Sequence, residues 1–451
     1  MIFEDIQIQL LLRKTNNNTP HFKQETYMQK LSLIIILLLV PFTACSSENV
    51  TQSSENTETI ARKKIFEHIQ GESESEFFQK YKKTGEVPPQ SPLLQELTKD
   101  LHTTTPTLKE LRKLTESKFS HNNGSFNIFV HNITSNPDTR YYVDIASLQA
   151  AYPNAVFQTA SRPNGLEGLQ MPVHHENFDP SKNGIESILG KWSVQGEEAQ
   201  LSCAAKGIVE IYYTKEDINF FDQLNIKISP TGNLTHLDPS TLRDKSIEDL
   251  SRIIRVAHWQ NVPVTSGYAN VLFQSQAIKE KKTFDATVRE KNSQDENVFV
   301  KQPHYITQVN VTALDVNPSR STAQLFNKQF QQDGPFYREL VAQAALRAAY
   351  EGTIRCAVAE GKKEIFLTLV GGGSFQNKLE WITESLEAIS KDNLLRKSGC
   401  KINLICLSID GHLEKDPAWD NLQNIALRNN GRILDITHST TPVKEIFLHK
   451  L

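Results

Sequence analysis

The stretch Glu364–Ile382, EIFLTLVGGGSFQNKLEWI, decides the fold. Its first part, Ile365–Val370, is a short apolar run of β-forming residues, which is typical of a buried parallel strand. Three glycines end the run, and apolar residues then recur at three- and four-residue spacing, which predicts a helix. A strand, a glycine turn and a helix N-terminus in succession are suited to phosphate, because free N–H groups and the helix dipole favour an anion. The alternative is a tight turn whose glycines serve backbone geometry alone.

The composition is that of an ordinary globular protein. The chain has 451 residues, of which 38% are hydrophobic and 22% charged, with a formal net charge of −3. This length accommodates two or three average domains, or one large α/β domain with insertions. Proteins that bind nucleic acids generally carry a basic excess, so we expect no nucleic-acid partner. The oligomeric state stays open.

The N-terminal region has the order of an export signal. Lys30 precedes the aliphatic run 31–40, about half of the roughly 20 residues that a spanning helix needs. The following Phe-Thr-Ala-Cys resembles a bacterial lipoprotein cleavage site, with Cys45 as the lipid-bearing residue. We therefore expect residues 1–45 to be a leader and lipoprotein signal, and the chain to be lipid-anchored in the bacterial cell envelope. An uncleaved N-terminal anchor is the alternative, and it also tethers the chain. Residues 46–59 are polar and predict a disordered tether.

The remainder of the chain divides by its hydrophobic periodicity. Residues 60–120 predict short helices, interrupted by prolines, that pack on the main domain or form a stalk. Residues 121–451 alternate short apolar runs with helical stretches, which indicates a βαβ architecture, with insertions near 217–250 and 279–300. The candidate strands are Phe126–His131, Tyr141–Ile145, Ala155–Ala160, Ile208–Tyr213, Tyr268–Phe273, Tyr305–Thr312, Ile365–Val370, Lys401–Ile409 and Arg432–Ile436.

The sequence also predicts three helices within this region. An alanine-rich pattern predicts a helix over Pro335–Glu360 that packs closely on a sheet and ends at the C-cap Gly361. A second helix is predicted over Ile247–His258. A third, short helix is predicted from Gln195 to Ala205, ending before the candidate strand that starts at Ile208.

Four cysteines remain if Cys45 carries lipid, and they include no CxxC pair. Cys356 and Cys406 lie in apolar helix and strand patterns, where buried free thiols are expected. A disulfide is chemically allowed in an exported protein, and the disulfide status of Cys203, Cys356, Cys400 and Cys406 stays open. Cys400 and Cys406 cannot pair within one extended strand, because six residues span about 20 Å.

A second strand-to-loop junction leads to a family resemblance. The strand ending FQTAS runs into the polar loop RPNGLEG, and an acidic residue, Asp144, precedes Ile145 upstream. On its own, Asp144 fits a helix cap or a hydrogen bond within a loop better than a ligand contact. The order of AVFQTASRPNGLEG, the segment from Gln195 to Gly207, ITQVNVTAL and the helix–strand–GGGSFQN–helix unit resembles the macro domain, the ADP-ribose-binding module. The resemblance covers roughly residues 126–407, and it implies a three-layer α/β/α domain with a mixed, largely parallel central sheet.

The resemblance also implies a ligand site at the carboxyl ends of the strands. It places Asp144 at the adenine, the loop after Gln158 near the distal ribose, and the glycine loop around the diphosphate, with Phe375 stacking near that ribose. The implied ligand-binding residues are Asp144, Ile145, Gln158, Ser161, Asn164, Gly196, Gly371, Gly372, Gly373, Ser374, Phe375, Gln376 and Asn377. The family's water-positioning asparagines are not matched here. By loop location, Asn164 and Glu167 are the candidate catalytic residues.

Other constellations are weaker. His174-His175-Glu176 suggests a metal, but adjacent histidines point opposite ways on a strand and no third ligand is spaced to close a site, so we expect no metal and no cofactor. Ser374 lacks a nucleophile elbow, which argues against a serine hydrolase.

Three hypotheses follow. The chain is a membrane-tethered binder of ADP-ribose or a related nucleotide diphosphate, an enzyme that hydrolyses an ADP-ribose linkage, or a structural or interaction lipoprotein of the cell envelope with a degenerate pocket. For the first two, we expect the loop Gly372–Phe375 to face Ser161 and Asn164 across one crevice; loops on opposite edges of the sheet would exclude both hypotheses.

Overall fold

The computed structural model describes residues 57–61, 64–119, 123–133, 145–189, 199–200, 202–267, 296–409 and 411–435. The strands are β1 (Thr57–Ala61), β2 (His102–Thr104), β3 (Ser125–Ile133), β4 (Val156–Ser161), β5 (Lys227–Ile228), β6 (Leu234–His236), β7 (Ala257–Gly267), β8 (Glu296–Thr312), β9 (Glu364–Thr368), β10 (Lys401–Ile409) and β11 (Ile433–Asp435). Among the described helices, none is long and apolar enough to cross a bilayer.

Within the described residues, the central sheet has nine strands and is mixed but largely parallel. Its order is β11-β3-β10-β9-β4-β8-β7-β2, with β1 also paired to β8. The pairings from β11 to β8 along this order are parallel, whereas β7 with β8, β2 with β7 and β1 with β8 are antiparallel. The pair β5 and β6 forms a separate hairpin.

Helices cover both faces of this sheet. The α-helices are Ile65–Gln70, Glu74–Thr84, Pro92–Thr98, Leu108–Thr115, Ile145–Ala151, Pro180–Asn183, Glu186–Leu189, Ala204–Ile208, Ile247–Ser251, Ser321–Phe330, Gly334–Glu360, Leu379–Lys391, Leu394–Lys397 and Trp419–Arg428. A π-helical turn, Val209–Tyr213, continues directly from Ala204–Ile208. We call Gly334–Glu360 the long helix.

Alternation along the central strands produces the three layers, because successive strand residues point to opposite faces. Val156 and Ile365 belong to the core on the side of the long helix. Their neighbours Phe157 and Phe366 belong to the core on the opposite side, where Ile145 of the helix Ile145–Ala151 also lies. The rings of Phe157 and Phe366 are stacked with centroids 4.9 Å apart. The predicted α/β/α class is therefore confirmed.

The long helix lies close to the sheet because its inner face is built of alanine. Ala344, Ala345, Ala348 and Ala349 are all buried, and small side chains permit close approach. The helix ends at Gly361, whose φ of 70° is the left-handed C-cap predicted from sequence.

One side of the long helix carries a buried ionic cluster. The Glu351 carboxylate accepts hydrogen bonds from Arg112, Arg347 and Arg355 at 2.7 to 3.0 Å. Burial alone raises the pKa of Glu351, but the hydrogen bonds and charges of these arginines outweigh it and lower the pKa to about 2. The cluster links the helix Leu108–Thr115 to the long helix.

A second buried carboxylate anchors the N-terminal helices. Glu74 accepts hydrogen bonds from the backbone N–H groups of Ile185 at 2.6 Å and Glu186 at 2.8 Å, and from the Tyr212 hydroxyl at 2.8 Å. Burial raises the pKa of Glu74 to about 7 against the effect of these hydrogen bonds. Residues of the helices between positions 65 and 97 share an apolar core with the segment 204–212.

Six of the predicted strands are confirmed as β3, β4, β8, β9, β10 and β11. The predicted strand Ile208–Tyr213 is wrong. It is helical because Ile208, Ile211 and Tyr212 fall on one helical face and are buried among the N-terminal helices. The predicted strand Tyr268–Phe273 lies outside the described residues.

Smaller corrections concern boundaries. Ile145 begins a helix rather than ending a strand, and residues 141–144 lie outside the described range. The helix predicted over Ile247–His258 ends at Ser251, and His258 belongs to β7. The helix predicted to end by Ala205 continues as Ala204–Ile208.

The described cysteines agree with the expectation of buried thiols. Cys203, Cys356, Cys400 and Cys406 are all free and buried. Burial raises the pKa of each of these thiols, which keeps them protonated and unreactive.

Candidate functional site

The loops after β4, β8 and β9 meet at one edge of the sheet. They do so because β9, β4 and β8 are adjacent and parallel, so their carboxyl ends lie together. A crevice between these loops has a cavity volume of about 60 Å³ and is lined by Arg162, Pro163, Gly232, Asn233, Leu234, Ala313, Leu314, Asp315, Arg320, Ser321, Thr322 and Phe375. Ligand sites commonly enclose about 300–1,000 Å³. The enclosed space therefore suits one anionic group, with the remainder of any larger ligand lying outside it.

The glycine loop after β9 adjoins the crevice, which its residue Phe375 lines. Gly371 has a φ of 76°, and a Cβ added there would lie 2.4 Å from the Ala313 Cβ. The loops after β8 and β9 can therefore approach this closely only because residue 371 has no side chain. Gly373 and Ser374 are exposed. In the described part of the chain, the backbone N–H groups of Gly373, Ser374 and Phe375 have no hydrogen-bond acceptor. Three consecutive free amides in a turn form the type of concavity that binds anions.

The Asn377 side chain connects the glycine loop to the loop after β8. Its Nδ2 donates to the carbonyl of Leu314 at 2.9 Å and to that of Gly371 at 3.3 Å. The Val316 N–H donates to the Phe375 carbonyl at 3.0 Å, which fixes the half-buried Phe375 ring at the crevice. Gln376 is exposed with a φ of 58°. The loop is therefore held by the β8 loop.

Two arginines line the same crevice. Arg320 donates from Nη1 to Asp315 Oδ2 at 3.0 Å and from Nη2 to Ser374 Oγ at 2.8 Å, so it bridges the β8 and β9 loops. Arg162 donates from Nη1 to Asn233 Oδ1 at 3.0 Å. Burial lowers the pKa of Arg162 and raises that of Asp315, but a guanidinium remains charged in proteins.

A helix N-terminus completes the crevice. The helix Ser321–Phe330 begins there, and its N-cap, Arg320, forms no side-chain cap. The backbone N–H groups of Ser321 and Thr322 have no acceptor in the part of the chain that the structure describes. Free N–H groups and the positive end of the helix dipole both favour a bound anion.

Two residues predicted to contact ligand in β4 point inward. Gln158 is fully buried, donates to the Ala349 carbonyl at 3.2 Å and accepts from the Thr368 N–H at 3.1 Å. The Ser161 hydroxyl donates to the Val311 carbonyl at 3.1 Å. These contacts join β4 to its neighbours and lie beneath the crevice.

Asn164 and Glu167 occupy the loop after β4. The Asn164 amide is 7% exposed, donates to the Pro230 carbonyl at 2.8 Å and accepts from the Leu166 N–H at 3.2 Å, so it shapes the loop. Glu167 is half-buried and accepts from the Gly168 N–H at 3.1 Å. Its negative charge raises the pKa of Arg162 against the larger effect of burial, which places the two side chains in electrostatic range.

The other residues implied by the resemblance lie away from the crevice or outside the described range. Ile145 is 3% exposed in the apolar layer opposite the long helix. Asp144 and Gly196 lie outside the described residues, as does Cys45.

Sequence reasoning did not single out Arg162 and Arg320. Arg162 stands directly after Ser161 in a loop already considered, and Arg320 stands immediately before a helix. An arginine at the junction of a strand or helix with a loop is the signal that could have identified them.

His174 and His175 lie in a turn. The opposite side-chain directions expected for neighbouring residues of a strand therefore do not apply to them. Both Nε2 atoms contact the same oxygen, Asp217 Oδ1, at 3.0 and 3.1 Å.

No protein-family model matches the chain, and no curated protein matches it. Among solved structures it is similar to the poly(ADP-ribose) glycohydrolase of Deinococcus radiodurans in complex with ADP-ribose, with 12% identity and a TM-score of 0.35 over 75% of this chain and 99% of that chain. It is also similar to the poly(ADP-ribose) glycohydrolase of Thermomonospora curvata, with 11% identity and a TM-score of 0.35 over 79% of this chain and 97% of that chain. Likeness at this level assigns neither fold nor activity.

Proposed function

We propose that the crevice binds the diphosphate of ADP-ribose or of a related nucleotide. The observation that carries this proposal is that Arg162, Arg320 and Phe375 line one crevice at the carboxyl edge of a parallel sheet, and that the amides of the adjoining loop Gly373–Phe375 have no acceptor among the described residues. Such an edge is where open α/β sheets bind their ligands. The sequence resemblance to macro domains supplies the expected ligand class.

The geometry suggests how the two phosphates are divided. One phosphate fits the enclosed space between Arg162 and Arg320, where arginine can bind it through two parallel hydrogen bonds. This phosphate replaces the Ser374 hydroxyl as a partner of Arg320. The second phosphate then lies over the outward amides of the glycine loop, and Phe375 contacts the adjoining sugar.

A ligand series with a thermal-shift readout tests the proposal. ADP-ribose, ADP, AMP and inorganic pyrophosphate are each added separately to the protein. The ligand is then recovered and its mass is measured by mass spectrometry, which shows whether it is intact. Stabilisation by ADP-ribose and ADP beyond that by AMP supports diphosphate recognition. No stabilisation at millimolar ADP-ribose would exclude the proposed function and favour the structural or interaction lipoprotein.

Hydrolysis of an ADP-ribose linkage is the second candidate activity. The feature that favours it is the half-buried Glu167 carboxylate, which lies in electrostatic range of the crevice residue Arg162 and can accept a proton from an attacking water. ADP-ribose released from a modified protein by the wild type but not by Glu167→Gln would support catalysis. Equal release by both would remove Glu167 from that role.

We also propose that the chain is tethered to a bacterial membrane through lipidated Cys45. The support is the order of a basic residue, the aliphatic run 31–40 and a lipoprotein-like cleavage sequence. Incorporation of radiolabelled palmitate into the wild type but not into Cys45→Ala is the expected result. Equal labelling of the two would contradict it.

A further inference from the structure

A cluster of two imidazoles and one carboxylate lies on the segments that follow β4 and precede β5. Among the described residues, His174, His175 and Asp217 are the one group of metal-ligand side chains whose donor atoms all lie within 4.8 Å of one another. The two Nε2 atoms lie 3.0 and 3.1 Å from Asp217 Oδ1. The three side chains are 36%, 21% and 61% exposed, so a solvated ion can reach them.

The histidine segment is held in place by buried neighbours. The Val173 N–H donates to the Ile211 carbonyl at 2.9 Å, and the Phe178 N–H donates to the His175 carbonyl at 3.0 Å. Val173 and Phe178 are each 3% exposed. The two imidazoles therefore project from a turn that is fixed on both sides.

The carboxylate segment is fixed as well. Ile218 follows Asp217 and packs against Gly165, where an added Cβ would lie 3.5 Å from the Ile218 Cδ1. Two residues further on, the Phe220 N–H donates to the Pro163 carbonyl at 2.9 Å. The three donor atoms are thus gathered by two anchored segments before any ion binds, which reduces the cost of ordering them.

We propose that His174, His175 and Asp217 bind a zinc ion. Zinc takes imidazole nitrogen at about 2.0–2.1 Å and carboxylate oxygen at about 2.0–2.2 Å, and tetrahedral geometry then separates the ligand atoms by about 3.3–3.5 Å. The two nitrogen–oxygen distances of 3.0 and 3.1 Å need to lengthen by only a few tenths of an ångström.

The tautomer of each imidazole differs between the two states. Without zinc, a neutral imidazole can donate its one N–H from Nε2 to the carboxylate; with zinc, the same proton lies on Nδ1 and the Nε2 lone pair binds the ion. Three protein ligands leave a fourth position for water, which is the arrangement of open zinc sites. This inference does not depend on the proposed nucleotide crevice.

The described cysteines do not compete for this ion. Cys203, Cys356, Cys400 and Cys406 are buried, and burial raises the pKa of each thiol, whereas zinc requires the thiolate. Within the described residues, zinc added to the folded chain should therefore go to the histidine–aspartate cluster.

Isothermal titration of the tag-free, chelator-stripped chain with zinc chloride tests the site. The expected result is one zinc per chain, with affinity lowered at least about tenfold by each of His174→Ala, His175→Ala and Asp217→Asn, since even outer-shell partners of a metal are worth roughly 10–100-fold. Glu216→Gln and His236→Ala remove an exposed carboxylate and an exposed imidazole outside the cluster. These two controls should leave the affinity unchanged.

A second measurement locates the ion. Anomalous scattering at the zinc absorption edge from soaked crystals should place one peak between the His174, His175 and Asp217 side chains. Urea unfolding of the three variants should match the wild type, because all three side chains are at least partly exposed. No stoichiometric binding, binding within twofold of wild type in all three variants, or an anomalous peak elsewhere would overturn the zinc site.

Discussion

Replacing Gly371 by alanine should separate the structural role of the glycine loop from its proposed ligand role. Gly371 adopts a φ of 76°, and the new Cβ would lie 2.4 Å from the Ala313 Cβ and 2.7 Å from Asn377 Nδ2. A left-handed alanine costs roughly 1–2 kcal/mol and overpacking a further 1–3 kcal/mol, so the free energy of unfolding should fall by roughly 2–5 kcal/mol.

Gly373→Ala is the matched control for this change. Gly373 stands two residues along the same loop, its φ is not in the left-handed region, and a Cβ there meets nothing within 4 Å. The free energy of unfolding should stay within about 0.5 kcal/mol of wild type, as is usual for surface substitutions. The added methyl group nevertheless lies on the outward face proposed to meet phosphate, so Gly373→Ala should weaken ADP-ribose binding without loss of stability.

Urea denaturation followed by circular dichroism measures the first effect, and calorimetric titration measures the second. The reasoning is refuted if Gly371→Ala and Gly373→Ala unfold at the same urea concentration, because the contact between the β8 and β9 loops would then carry no energy. An unchanged ADP-ribose affinity in Gly373→Ala would instead contradict the phosphate contact alone.

Three buried polar groups give further predictions, each measured as the free energy of unfolding in urea. Burial raises the folded-state pKa of Glu74 from 4.5 to about 7. The contribution of Glu74 to the free energy of unfolding is therefore present in full below pH 4.5 and is lost as the pH rises through 7, by at most roughly 3 kcal/mol. In Glu74→Gln this dependence of stability on pH should disappear, and an unchanged dependence would contradict the prediction. The surrounding arginines lower the pKa of Glu351 to about 2, so Glu351 stabilises the fold fully above pH 4.5 and less as the pH falls towards 2. Glu351→Gln should therefore lower the free energy of unfolding by about 3–5 kcal/mol at neutral pH. A loss below 1 kcal/mol would contradict the role of the ionic cluster. Gln158→Leu leaves the buried Thr368 N–H without an acceptor and should lower the free energy of unfolding by about 1–3 kcal/mol. The ADP-ribose affinity of the folded protein should stay unchanged, and a selective loss of affinity would place Gln158 in the site.

The central strands and their shared edge were predictable because they depend on local pattern. A continuous apolar run that ends in glycines, such as Ile365–Val370, is typical of a strand buried on both faces, and parallel strands bring their carboxyl ends together. The alanines of the long helix likewise predicted its close packing, and Gly361 its end. These features need no knowledge of distant contacts.

The groups that give the crevice its chemistry depend on distant contacts. Arg320 meets Ser374 across 54 positions, and Arg162 meets Asn233 across 71. His174 and Asp217 meet across 43 positions. The order of the strands determines which of these residues meet, and that order is a property of the assembled sheet.

The segment Ile208–Tyr213 shows a second limit. Its run of β-branched and aromatic residues has strand propensity, but burial among the N-terminal helices outweighs that propensity. Tertiary packing, rather than local preference, decides such short apolar runs.

Titration of ADP-ribose into the wild type, Arg320→Ala and Lys391→Ala is the most direct test of the proposed diphosphate site. Arg320 lines the crevice, whereas Lys391 is an exposed cation at the last residue of the helix Leu379–Lys391. A charge-assisted hydrogen bond is worth about 1.5–3 kcal/mol, so Arg320→Ala should weaken binding by roughly 10–150-fold while Lys391→Ala binds as the wild type does. Equal affinities in all three proteins, or no binding by the wild type at millimolar ADP-ribose, would contradict the account.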